Sequence, residues 1–100
     1  MNVNVNQIDE NGVLTISVEG SIDTLTASDF ESKVIKALDG VKKLILDFAK
    51  VEYVSSAGLR TIILLNEKME EKEGMTIKNI NDEVRDVFEM TGFDELLTLE

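Results

Sequence analysis

Apolar residues in this chain recur with two alternating periods, and that alternation restricts the fold more than any other feature. Val3 and Val5 are separated by one Asn, and Leu14, Ile16 and Val18 alternate with Thr15 and Ser17. Both stretches have the period of two that a half-buried strand requires. Asn11-Gly12 between them is a strong hairpin signal, so the first two strands are expected to pair antiparallel. After Gly20 the spacing lengthens: Ala27, Phe30, Val34, Ala37 and Leu38 share one helical face. Strand patterns then alternate with helical ones to the last residue.

Thr24 or Thr26 can cap the first helix, Asp29 lies in its first turn, and Gly40 closes it. Leu44-Ile45-Leu46 suits a central strand covered on both faces, or one whose second face meets only edge elements. A second helix starts at Ser55 or Ser56, carries the stripe Leu59, Ile62, Ile63, Leu65 and Met69, and runs to about Glu73, before Gly74. Met75 and Ile77 mark the next strand. Asn81 or Asp82 caps a third helix with Val84, Val87 and Phe88 inside, and Gly92 stops it. Glu95 to Leu99 form the last strand. The order β-β-α-β-α-β-α-β predicts one α/β domain over residues 1–100. Its sheet should be mixed, mainly parallel and packed by helices through right-handed crossovers.

Composition removes several chemistries. Without Cys or His, the chain has no thiolate nucleophile, imidazole base, disulfide, or thiolate or imidazole metal ligand. It cannot build a Ser-His-Asp hydrolase alone. No nucleophile–base pair is visible, so an enzyme is not expected, and neither is a cofactor or metal. A formal charge of −10 opposes binding to nucleic acid or to an anionic membrane surface. No apolar run is long enough to cross a membrane and no leader pattern opens the chain, so a cytoplasmic protein is expected. Its ligand is expected to be another protein.

The segment VEYVSSAGLRTII, residues 51–63, is where function is sought. Ser55 and Ser56 lie where strand meets helix, and either can cap it. Gly58 costs the helix about 1 kcal/mol relative to Ala, which calls for close approach of a backbone or a partner. Gly58 is expected to keep an exposed turn low. Arg60, four residues after Ser56, is within reach of a phosphate there. Leu64 lies on the polar face between Arg60, Thr61, Glu67, Lys68 and Glu71 and can anchor a partner. Asp23 is read either as a turn or capping residue or as a neighbour of Ser56 across the site. Asp47, at the end of the apolar run, is expected to bond loop N–H groups. Pairing it with Asp23 as an acid/base couple has no positive support.

VSSAGLR after the strand LILDFAKVEY resembles the phosphorylation-site motif of the STAS domains, the anti-sigma factor antagonists. There the turn reads (D/S)-S-x-G-L, and the serine two residues before the glycine is phosphorylated. VEGSIDTLTASDFE resembles that family's strand-loop-helix segment, with Gly20 and Asp23. VFEMTGFDELLTLE resembles its closing helix, glycine and final strand. The three matches cover most of the chain in order. The resemblance implies Ser56 as phosphoacceptor; Ser55, a second serine where many members have Asp, is the alternative. It also implies a partner surface of Asp23, Thr24, Ser55, Ser56, Ala57, Gly58, Leu59, Arg60 and Leu64.

By the same resemblance the domain is a partner switch. The unphosphorylated form would bind an anti-sigma factor with GHKL-type serine kinase activity and so release a sigma factor. Phosphorylation would end that binding, and a PP2C-type phosphatase would restore it. The alternatives are an unphosphorylated accessory subunit of a membrane transporter and a scaffold component of a stress-signalling assembly.

Overall fold

A strand can pair in parallel with its predecessor only through a crossover, and three helices supply crossovers here. The computed structural model describes residues 2–6 and 8–100. Its elements are β1 (Asn2–Val5), β2 (Val13–Ile22), α1 (Ala27–Ala37), β3 (Lys43–Val54), α2 (Ser56–Glu70), β4 (Met75–Lys78), α3 (Asp82–Thr91) and β5 (Thr98–Leu99). One sheet holds the strands in the order β1-β2-β3-β4-β5. β1 pairs antiparallel with β2, and the later neighbours are all parallel. The expected element order and mixed, mainly parallel sheet are present.

Order along the sheet follows order along the chain, so every crossover steps in one direction. With crossovers of one hand, all three helices then fall on the same face. Burial agrees: Leu14, Ile16 and Val18 of β2 and Leu44, Leu46 and Phe48 of β3 are buried. Thr15, Ser17 and Ile45, which point the other way, are only half-buried. The reading of Leu44-Ile45-Leu46 as covered on both faces is therefore corrected.

Two bulges shape the end of β3. Ser17 pairs with Asp47 but Glu19 with Lys50, and Gly20 pairs with Val51 but Ser21 with Tyr53. Each extra residue resets the in-and-out alternation of the bulged strand. The buried residues thus run Phe48, Val51, Val54 at intervals of three. The strand delivers Val54 to the core and leaves Ser55 at the helix entrance.

Several element ends differ from the sequence reading. Neither Thr24 nor Thr26 caps α1 by its side chain. Thr26 holds the N-cap position, but its hydroxyl donates to the Ser21 carbonyl oxygen at 2.7 Å. α2 stops at Glu70, because the Lys72 and Gly74 N–H groups turn back to the Met69 carbonyl at 2.9 and 3.0 Å. The last strand shrinks to two residues, since Phe93–Glu95 forms a 3₁₀ turn. Asn81 is the cap of α3, its Oδ1 accepting from the Val84 N–H at 2.7 Å.

Candidate partner-binding site at the start of the second helix

The two serines have different environments. Ser55 is extended (φ −85°, ψ 177°), and its Oγ accepts from the Gly58 N–H at 3.3 Å. Its own N–H donates to the Ile22 carbonyl at 2.9 Å, and its carbonyl accepts from the Leu59 N–H at 2.8 Å. Ser55 is thus the N-cap that starts α2. Ser56 is the first helical residue and is exposed. It sits among the free N–H groups and positive dipole end of a 15-residue helix.

Gly58 faces inward, not outward. A Cβ there would overlap the Ile22 carbonyl oxygen and would lie 2.9 Å from Ile22 Cγ2 and 3.0 Å from Val54 Cγ1. The helix start is pressed against the end of β2, and only glycine leaves room for that backbone. The expectation that Gly58 lowers an exposed turn is corrected: the close approach is made by the protein's own chain. Leu59, 2% exposed, is likewise a core residue. Ala57 is half-buried and packs against the core.

The Ile22–Ser55 hydrogen bond also brings the loop after β2 beside the serine turn. In that loop the Asp23 Oδ1 accepts from the N–H groups of Leu25 and Thr26 at 2.9 and 3.1 Å. The Asp23 N–H donates to Thr26 Oγ1 at 2.9 Å, and the Ala27 N–H to the Asp23 carbonyl at 2.8 Å. Asp23 is therefore the turn-forming residue, one of its two expected roles. Thr24 is exposed on the same loop.

Arg60 is exposed and, among the described residues, forms no ion pair. Leu64 is 41% exposed. With Ser56, Ile63 and Glu67 these side chains form one wall of a groove of about 460 Å³, whose far side is Thr91 and Phe93. Ile63, expected in the buried stripe, is only half-buried because it faces this groove. Thr61, expected on the polar face, is buried at 5%. Asn66 is buried too, and its Nδ2 donates to the Leu96 carbonyl at 3.3 Å, tying α2 to the turn after α3. Thr91, Phe93 and Asn66 were missed by sequence reasoning. Phe93, beside a helix-ending glycine, was the only available signal.

Asp47 stands elsewhere. Its Oδ1 accepts from the Ala49 N–H and from Asn79 Nδ2, both at 3.0 Å. The Asn79 bond first, then the Ala49 N–H and the Lys78 charge, hold its carboxyl below the usual range despite partial burial. It clamps the first bulge of β3 to the residue after β4, so the expected bonds to loop N–H groups are corrected: its one backbone donor, Ala49, lies within the strand. Asp47 pairs with Ser17, six residues before Asp23, or roughly 20 Å along an extended strand. The two carboxylates form no acid/base couple. Among the described residues no acidic cluster suits a metal ion, and no helix is long and apolar enough to cross a membrane.

The STAS domain family profile matches residues 2–100. BtrV of Bordetella bronchiseptica, named as a candidate anti-sigma factor antagonist, is 30% identical over 95 residues, 93% of this chain and 80% of its own length. The crystal structure of an anti-sigma factor antagonist from Mycobacterium paratuberculosis superposes with a TM-score of 0.86 at 28% identity, covering 98% of this chain and 83% of that one. SpoIIAA of Bacillus shares the fold at 18% identity in its unphosphorylated form (TM-score 0.80, 99% of this chain and 88% of that one). Its phosphorylated form shares it at 17% (TM-score 0.72, 99% and 91%).

Proposed function

The chain belongs to the STAS domain family, and on that premise we propose that it is an anti-sigma factor antagonist switched by phosphorylation of Ser56. The observation that carries the proposal is the division of labour between the serines: Ser55 caps α2 while the Ser56 hydroxyl stands exposed beside it. The antagonist names of BtrV and of the Mycobacterium paratuberculosis protein support it. The domain acts as a binding protein in the cytoplasm. Its partner is an anti-sigma factor with GHKL-type serine kinase activity, and a PP2C-type phosphatase resets it.

The switch needs no refolding. A phosphate on Ser56 adds about −1.5 to −2 charge at pH 7. In the free domain that charge faces the helix N-terminus, a favourable position by about 0.3–1 kcal/mol, with Arg60 one turn away. Inside a dry interface the same charge has no prepared partner. A penalty of about 2–5 kcal/mol, typical of an unpaired buried charge, lowers affinity roughly 30- to 4,000-fold. The modification therefore leaves the fold intact and disrupts the complex.

Incubation with ATP and purified GHKL-type kinases from the same genome tests the proposal. Intact mass should rise by one phosphate in the wild type and in Ser55→Ala, and not in Ser56→Ala. Phosphorylation lost in Ser55→Ala but kept in Ser56→Ala would reverse the assignment. A protein unmodified by every such kinase that copurifies with a transporter ATPase would be an accessory subunit instead.

A further inference from the structure

Leu25 is the most exposed of the large hydrophobic residues described, at 91%. A lone surface leucine ordinarily needs no explanation. This one occupies the tip of a turn closed by hydrogen bonds among Asp23, Leu25, Thr26 and Ala27. The Thr26 hydroxyl fastens that turn to β2 through the Ser21 carbonyl. The turn in turn adjoins the serine junction, since Ile22 pairs with Val54 and its carbonyl holds the Ser55 N–H. A polar loop would display a solvated side chain at its tip; this one holds an apolar side chain in water on an ordered backbone. Docking such a residue incurs little further loss of backbone freedom.

We infer that Leu25 is an apolar anchor, buried by the GHKL-type kinase in a pocket beside its phosphoryl-transfer site when it engages Ser56. The inference rests on the phosphorylation reading. Geometry supports the occupant. A kinase must bring its nucleotide to the Ser56 hydroxyl, so its footprint is centred near the β3–α2 junction. A standard interface takes about 800 Å² from each partner, a disc of roughly 16 Å radius. Leu25 is one strand spacing and three residues from Val54, at most about 15 Å. It falls inside that footprint on one side of Ser56, while the groove of Ile63, Leu64 and Phe93 lies along α2. The kinase surface that fits is a polar active centre flanked by two apolar contacts.

The test compares wild type, Leu25→Ala, Leu25→Asp and Leu25→Met with the purified GHKL-type kinase that phosphorylates Ser56. Leu25→Ala should weaken binding about tenfold and Leu25→Asp further. KM should rise accordingly with kcat unchanged, the pattern of lost uniform binding. Leu25→Met, which conserves volume, should stay near wild type. All three melting temperatures should match wild type, because the side chain makes no core contact. Leu25→Asp binding within twofold of a wild type that is itself phosphorylated overturns the anchor alone. A wild type that no GHKL-type kinase binds or modifies overturns the phosphorylation reading and the anchor together.

Discussion

Gly58→Ala separates helix propensity from tertiary fit, because the two make opposite predictions. In a solvated helix the change adds up to about 1 kcal/mol of stability. Here the new methyl meets the Ile22 carbonyl, Ile22 Cγ2 and Val54 Cγ1. That carbonyl cannot simply withdraw, since it also accepts the Ser55 N–H at 2.9 Å. Overpacking costs about 1–3 kcal/mol, and losing the Ser55 bond adds about 0.5–1.5 kcal/mol. Subtracting the propensity gain leaves a net destabilisation of about 0.5–3.5 kcal/mol. For a chain of 100 residues that is a fall in melting temperature of roughly 4–8 °C for each kcal/mol. Urea titration of Gly58→Ala against wild type, with a shared slope, measures it. A variant more stable than wild type would show that the helix start has room to move, and the close-approach argument would be wrong. Phosphorylation of Ser56 should also slow in the variant, since the clash displaces the turn that presents the hydroxyl.

Asp47 gives a pH prediction. Its carboxyl is depressed by Asn79, by the Ala49 N–H and by Lys78, so its contribution is complete above the unfolded value, about 3.9. That contribution is lost as pH falls through the lower folded value. Urea midpoints of wild type and Asp47→Asn should differ at neutral pH and converge below about pH 4; a constant difference across that range would remove Asp47 from the acid response. Asn81→Asp keeps the acceptor for the Val84 N–H, but it replaces an Nδ2 that donates to the Val51 and Glu52 carbonyls at 3.1 and 3.3 Å. It should lower stability by about 1–3 kcal/mol, measured by thermal melting at neutral pH, whereas a residue acting only as a cap would tolerate Asp.

The order of elements was readable because strand and helix periods are local properties of the chain. Capping was readable in part for the same reason. Ser55 and Asn81 cap α2 and α3 as their positions suggested. Thr26 did not cap α1, because its hydroxyl turns back toward β2, accepting from the Asp23 N–H and donating to the Ser21 carbonyl. The family motif separated Ser56 from Ser55, and the geometry of the cap is consistent with that separation.

What sequence periodicity does not contain is the identity of the neighbour. It cannot say that successive crossovers place α1, α2 and α3 on one face, because that depends on where each strand inserts in the sheet. It cannot locate the bulges of β3, which arise from pairing with β2 and move Val51 and Val54 into the core. Nor can it show what Gly58 approaches, what Thr61 and Asn66 are buried against, or that the loop after β2 adjoins the serine turn. By itself the sequence determined the elements, their order and the serine turn. Tertiary structure decided which side of each element is buried and which distant residues share the surface around that turn, because burial and proximity come from contacts far apart in the chain.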